Sequence, residues 1–403
     1  MKLRSKVFAG LAAAMMLLTC GCAGGSSSTA GASTDVQASE NISVTESENM
    51  NETKTYNLTS ENVKLIGRTA ENNGTLWLAL SASGVEFTFT GTKLTLNIAG
   101  DNNVSAGKDK QARFAVYIDG EKTLDTQVDA AEKAYDIFTA DEAKEVTVKI
   151  LKLSEAAESI MGIRSIEATG SELKPTAEKD LKIEFIGDSI TCGYGVDDEV
   201  KENHFSTSTE DATKAYAYKT AVALDADYSL VSYSGHGIIS GYTDNDKKVT
   251  SQLVPPVYEK FAKTYTVSPE FNPMEIDWDF SRFVPDFIVI NLGTNDASYC
   301  GNHKDRVTEY AEKYTEFIKK VREHNPDAHI ICALGVMGDS LYKGVQMAVK
   351  AYTEETGDAK VSYLRLKPQD GTTGYAADWH PTEATHEIAS ATVVEEIKKL
   401  MAE

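Results

Sequence analysis

The chain has 403 residues, 41% hydrophobic and 25% charged, enough for a substantial core and for about two or three domains. Its formal net charge of −21 repels phosphate backbones and argues against nucleic acid as a partner. Seven histidines and five cysteines leave room for catalysis but not for a disulfide framework.

The first element is a signal. Lys2, Arg4 and Lys6 precede the apolar run Val7 to Leu18, which is too short to span a bilayer and reads as an export segment. Leu17-Leu18-Thr19-Cys20-Gly21-Cys22 resembles a bacterial lipobox. Cys22, with the small Gly21 before it, is the expected lipidation site, and Cys20 is the alternative. Residues 1–22 are therefore expected to direct export and anchor the protein at the bacterial cell surface. The lipid is its expected membrane contact, and plain secretion is the alternative. Residues 23–55 are rich in Ser, Thr, Asn, Glu and Gly; with little apolar surface to bury, they are expected to form a flexible tether.

Residues 56–170 change to a period of two. Val85-Glu86-Phe87-Thr88-Phe89, Leu94-Thr95-Leu96-Asn97-Ile98 and Val146-Thr147-Val148-Lys149-Ile150 alternate, as half-buried strands do. Phe114 to Ile118 runs into the turn signal Asp119-Gly120. An all-β sandwich is expected. It contains no histidine, so a histidine-based site cannot lie wholly within it.

Residues 171–180, with Pro175, form a short connector. From 181 to 403 strands and helices alternate, which implies an α/β domain of three layers with a parallel sheet. The expected strands are Ile183–Ile186, Tyr228–Tyr233, Phe287–Leu292, His329–Leu334 and Val361–Leu364. Val307, Tyr310, Ala311, Tyr314, Phe317, Ile318 and Val321 give one apolar face to a helix over Arg306–His324. Pro381 is placed at the start of the last helix. All seven histidines fall in this half.

Open α/β sheets carry their sites at the carboxyl ends of the strands. Gly187-Asp188-Ser189, Ser234-Gly235-His236-Gly237 and Gly293-Thr294-Asn295-Asp296 each follow a predicted strand, and Asp378-Trp379-His380-Pro381 comes near the end. Serine needs a neighbouring base to become a nucleophile, histidine suits neutral pH, and attack on an ester creates an oxyanion that requires preset donors. Asp188 and Asp296 are expected to bond loop backbone, and His386 to be structural. Cys192, Cys300 and Cys332 are too dispersed for a zinc site; no metal and no cofactor is expected.

These four blocks, in this order, resemble the SGNH (GDSL-type) hydrolase superfamily from Leu181 onward. The resemblance implies Ser189 as nucleophile and His380 as base. It implies the backbone N–H groups of Ser189 and Gly235 and the Asn295 amide as oxyanion donors. The superfamily's D-x-x-H would put an acid at position 377, which is Ala377; Asp378, one residue later, is the candidate third member, with a backbone carbonyl such as that of Trp379 as the alternative.

Phe185 to Gly195, Trp278-Asp279-Phe280, Asn291 to Asp296, Asp378 to Pro381 and Val116 to Glu121 are together similar to carbohydrate esterase family two. That family places a jelly-roll-like sandwich ahead of the hydrolase domain. It implies an O-acetylesterase, of acetyl xylan esterase type, acting on acetylated polysaccharide such as xylan or glucomannan through a serine acetyl-enzyme. Trp379, Tyr194, Trp278 and His236 are the candidate substrate-binding residues. No protein partner is implied. Two alternatives remain: a lipase or thioesterase of the same superfamily, and an inert glycan-binding surface lipoprotein.

Overall fold

Residues 51–266 and 271–403 are described by the structure, a computed structural model. The export segment, Cys20, Cys22 and residues 23–50 of the expected tether lie outside them. No described helix is long and apolar enough to cross a membrane.

The first half is all β: β1 Thr53–Tyr56, β2 Lys64–Ile66, β3 Thr69–Asn72, β4 Thr75–Leu78, β5 Gly84–Gly100, β6 Arg113–Ile118, β7 Glu121–Gln127, β8 Glu132–Lys152, β9 Met161–Gly170 and β10 Lys174–Pro175. They form one ten-stranded sheet with the main order β3-β4-β9-β5-β8-β6-β7, antiparallel in every pair. The runs Val85–Phe89 and Leu94–Ile98, read separately in the sequence, are one strand continuing through a register shift between Gly91 and Lys93. Such a bulge bends a strand and strengthens its twist, so the faces of the expected sandwich are continuous through β5 and β8 in a curled sheet. The core is the alternating set Val85, Phe87, Phe89, Leu94, Leu96 and Ile98 packed on Val146, Val148 and Ile150.

Two expectations at the borders need correction. The tether was expected to reach residue 55, yet Thr53 already pairs with Thr169 as β1 joins β9. A four-residue polar strand has no apolar signal of its own; the ladder bonds on β9 define it. The connector is likewise not structureless, since β10 pairs with β5 at Lys174 and Thr88.

The second half is the expected parallel sheet: β11 Leu181–Gly187, β12 Ala226–Ser232, β13 Phe287–Asn291, β14 His329–Leu334 and β15 Val361–Arg365, ordered β12-β11-β13-β14-β15. Its helices are α1 Ser189–Cys192, α2 Tyr216–Ala223, α3 Thr294–Cys300, α4 Lys304–His324, α5 Tyr342–Thr356 and α6 Glu383–Met401. The α4 face predicted from periodicity is buried at Tyr310, Ala311, Tyr314, Phe317, Ile318 and Val321. Pro381 is not the first residue of α6. Thr382 caps that helix by accepting the Thr385 N–H, a role for which a hydroxyl side chain is suited, and Pro381 lies one position outside.

All described residues belong to one compact unit. Trp77, Ala79, Leu80, Ala156 and Ile160 of the β half share a core with Tyr233, Tyr258, Phe261 and Phe271 of the α/β half, and Trp77 stacks on Phe271 at 5.1 Å. Arg68 crosses the same boundary. It is fully buried, donates to the Tyr258 and Lys260 carbonyls at 2.6 and 2.8 Å, and meets Glu184 of β11 at 3.4 Å. Arg68→Ala would leave Glu184 buried without its countercharge, and the expected loss is roughly 3–5 kcal/mol, read as a lower urea midpoint. An unchanged midpoint would refute this account of the boundary.

Candidate active site

Strands β11, β12 and β13 end side by side, Gly187 opposite Ser232 and Asn291, so the residues that follow them meet. Ser189 opens α1, where a backbone N–H has no intrahelical acceptor. Asp188 caps the helix by accepting the Ile190 N–H. The loop after β12 holds Gly235 at φ +74°, left-handed backbone that favours glycine. Asn295 lies in the first turn of α3.

Ser189 and His380 are joined: Ser189 Oγ lies 2.8 Å from His380 Nε2. His380 Nδ1 faces the Ala377 carbonyl at 3.1 Å. A carbonyl can only accept, so Nδ1 carries the proton and Nε2 offers its lone pair to the serine hydroxyl. Burial holds the imidazole well below its ordinary range, at about 4, so it is a neutral base at neutral pH.

The expected third member does not reach the ring. Asp378 directs Oδ2 to the Tyr194 hydroxyl at 2.5 Å and Oδ1 to His204 Nδ1 at 2.8 Å. The reason is local backbone. Asp378 and Trp379 both have positive φ, 49° and 62°, which turns the Asp378 side chain away and folds the Ala377 carbonyl back under the imidazole. That carbonyl also accepts the His380 N–H at 3.0 Å. The Trp379 carbonyl, the alternative considered above, accepts from Gln369 Nε2. The residue three before the histidine thus holds the ring with its main chain. Gly195 makes the close approach possible, because a Cβ there would meet the Ala377 Cβ at 2.6 Å.

Tyr194 lies flat against His380, ring centres 3.8 Å apart at 16°, and joins the ring to Asp378 through its hydroxyl. Trp379 is half exposed beside His380, with Lys201 Nζ 4.0 Å above its ring. The other two substrate candidates need correction. Trp278 is buried in the core, with the Arg68 and Arg282 guanidinium groups 5.2 and 4.9 Å from its ring; Arg282 is four residues on in the same segment, and Arg68 comes from the β half. His236 is fully buried. Its Nδ1 bonds the Ser234 carbonyl at 2.9 Å and its Nε2 faces Lys263 Nζ at 3.0 Å, so it ties the loop together without lining a cleft.

Asn295 Nδ2 donates to the His236 carbonyl at 2.9 Å and lies 3.3 Å from Asp188 Oδ2. Asp296 accepts the backbone N–H groups of Ile238, Ile239 and Ser240 within 3.0 Å, the loop-bonding role expected of it. His386 is buried and accepts the Tyr216 N–H. Cys192, Cys300 and Cys332 are free and buried. The sequence reading missed His204 and Lys263 as neighbours of the site; both come from long loops whose course no periodicity reveals.

Comparison with known proteins adds independent findings. The family model described as "GDSL-like Lipase/Acylhydrolase family" matches residues 185–388, and "Carbohydrate esterase 2 N-terminal" matches residues 65–176. The cellulase/esterase CelE of Acetivibrio thermocellus is 32% identical over 79% of this chain, which spans 37% of that protein's length. An acetylxylan esterase / glucomannan deacetylase of Cellvibrio japonicus is 25% identical over 84% of this chain and 89% of its own. A family two carbohydrate esterase from Clostridium thermocellum, solved in complex with cellohexaose, superposes with a TM-score of 0.73 at 28% identity, covering 84% of this chain and 99% of that one. With Ser189 at a strand end bonded to His380 ahead of the last helix, a curled β half before it in the chain and these matches across both halves, the chain belongs to the GDSL-like lipase/acylhydrolase family and has the two-domain architecture of the family two carbohydrate esterases.

Proposed function

We propose that this protein is an extracytoplasmic carbohydrate O-acetylesterase that removes acetyl groups from plant polysaccharides such as xylan and glucomannan. The observation that carries the reading is the 2.8 Å contact between Ser189 Oγ and a neutral His380, beside the exposed ring of Trp379. Flat aromatic rings suit the faces of sugars, and Trp379 with Tyr194 is the proposed platform. The names of the relatives support the same substrate class.

In this reading Ser189 Oγ attacks the acetyl carbonyl while His380 Nε2 takes its proton. The oxyanion is met by the N–H groups of Ser189 and Gly235 and by Asn295 Nδ2. His380 returns the proton to the departing sugar oxygen, leaving acetyl-Ser189. A water that gives its proton to Nε2 then attacks the acetyl carbon, and acetate leaves as Ser189 recovers its hydrogen. The Ala377 carbonyl keeps Nδ1 protonated throughout. Export through the N-terminal segment and lipidation of Cys22, or Cys20, complete the proposal.

The test is acetate release from acetylated glucomannan and acetylated xylan, run beside a series of esters of increasing acyl length. Acetate from either polymer, with activity falling as the acyl chain grows, is the expected result. Preference for long acyl chains with no polymer activity would replace this reading by the lipase-type one. No turnover of any ester would leave the glycan-binding lipoprotein.

A further inference from the structure

The loop Leu153–Ile160, between β8 and β9, brings the β half directly beneath the oxyanion loop. Glu155 on it is buried, and its Oε2 accepts the Ser234 backbone N–H at 2.8 Å. On the other side of the same residue, His236 Nδ1 bonds the Ser234 carbonyl at 2.9 Å, with Lys263 behind it on Nε2. A lysine ammonium can only donate, so Nε2 accepts and Nδ1 carries the hydrogen.

The Ser234 carbonyl and the Gly235 N–H belong to one planar peptide and point in opposite directions. A bond that fixes the carbonyl therefore aims the N–H. Gly235 has φ +74° and no side chain, and its carbonyl accepts the Tyr242 N–H at 3.0 Å; that bond holds the peptide after Gly235, so the aim of its N–H rests on the peptides before it. Glu155 fixes the preceding peptide, and His236 fixes the one that carries the donor.

Glu155 is itself held. Its N–H donates to Glu210 Oε2 at 2.7 Å and its carbonyl accepts from Lys152 Nζ at 2.9 Å. Lys152 and Glu210 are both fully buried. Burial raises both carboxyl groups and lowers the lysine; Glu155 raises Glu210 further, Glu158 raises Glu155, and Lys152 holds both carboxyl groups down. Glu155, Glu210 and Cys192 also place possible ligand atoms within 4.8 Å of one another, but Lys152 already supplies the positive charge that a metal ion would bring.

We propose that Glu155 of the β half and His236 are positioning residues that hold the two peptides flanking Ser234, Glu155 the Tyr233–Ser234 peptide and His236 the Ser234–Gly235 peptide, and so aim the Gly235 N–H at the reacting carbonyl. This rests on the reading of Gly235 as an oxyanion donor. What the clamp needs from Glu155 is an acceptor of the right reach. Glu155→Gln keeps that acceptor and leaves Glu210 as the carboxyl that faces the charge of Lys152. Glu155→Asp keeps the charge but withdraws the acceptor by one methylene. His236→Asn retains a donor near the Nδ1 position, and His236→Leu removes it.

The measurement is kcat and KM of the full-length variants on p-nitrophenyl acetate. Loss of one whole oxyanion donor typically slows turnover by roughly 10²–10³-fold, and a misaimed donor should cost less. The expected result is a fall in kcat of about tenfold or more in Glu155→Asp and His236→Leu, with KM within about twofold, and recovery to within about threefold in Glu155→Gln and His236→Asn. The reverse order at position 155, Gln impaired or unfolded while Asp is tolerated, would overturn the proposal by showing that charge is what the position supplies. Equal activity in all four variants, or losses confined to KM, would overturn it as well. A wild-type enzyme that cleaves this ester but no acetylated polysaccharide would remove the carbohydrate reading and leave the clamp to be judged on the same data.

Discussion

Ser189→Ala and His380→Ala are each expected to lower kcat on an acetyl ester by roughly 10⁴-fold or more, whereas Asp378→Asn loses less than about tenfold. Where a buried carboxylate holds the histidine, removing its charge has itself cost about 10⁴-fold in serine proteases. Here the group on Nδ1 is the Ala377 carbonyl, which no side-chain substitution removes. Asn also tolerates the left-handed backbone at position 378, so Asp378→Asn changes the charge and little else. A loss in Asp378→Asn as deep as that in His380→Ala would show that the carboxylate acts on the ring during turnover.

The same site fixes the pH dependence. Protonated imidazole cannot take the Ser189 proton, so activity falls as pH drops through the His380 pKa. Burial lowers that value to about 4, and the acid limb of kcat/KM is expected near there, below the ordinary histidine range. Tyr194 covers one face of the ring. Tyr194→Ala should admit water, favour the charged form and move the limb upward. A limb unchanged in that variant would assign the shift to other neighbours.

Asn295→Ala is expected to reduce kcat by roughly 10²–10³-fold with little change in KM, the pattern of a donor used mainly in the transition state. The 2.9 Å bond from Nδ2 to the His236 carbonyl fixes the plane of the amide. Its contact with Asp188 is longer, 3.3 Å, and a developing oxyanion is a stronger acceptor than that distant carboxyl. Burial raises Asp188 to about 7, which weakens its hold further. A rise in KM with kcat preserved would place Asn295 in substrate binding instead.

The sequence carried the parts of this molecule that repeat or alternate. Strand-end positions were legible because three of the five apolar runs have glycine-containing polar blocks after them, and the helix read over Arg306–His324, observed from Lys304, because one face is apolar. The Ser189–His380 pair, which the structure joins, was legible as two separate blocks. The hold on His380 was not, since a backbone carbonyl looks the same in every residue and Ala377 reads as a missing acid. For Trp278 and His236 the sequence left both a core place and a place at the site open; Arg68 and Lys263, the partners that accompany their burial, come from distant segments. Glu155 stands in the half without a histidine, so nothing local marked it as part of the chemistry.

The shared core has a consequence for building with this protein. Trp77, Leu80 and Arg68 lie inside the α/β half's own packing, and Glu155 supports its loop. The α/β half is therefore not a cassette that can be excised near residue 180 and fused elsewhere; a cut there would strip apolar walls from the sheet and the Glu155 support from the Ser234–Gly235 loop. A transplantable unit begins no later than Thr53, where β1 joins the ladder, and any shuffled library should treat the two halves as one gene segment.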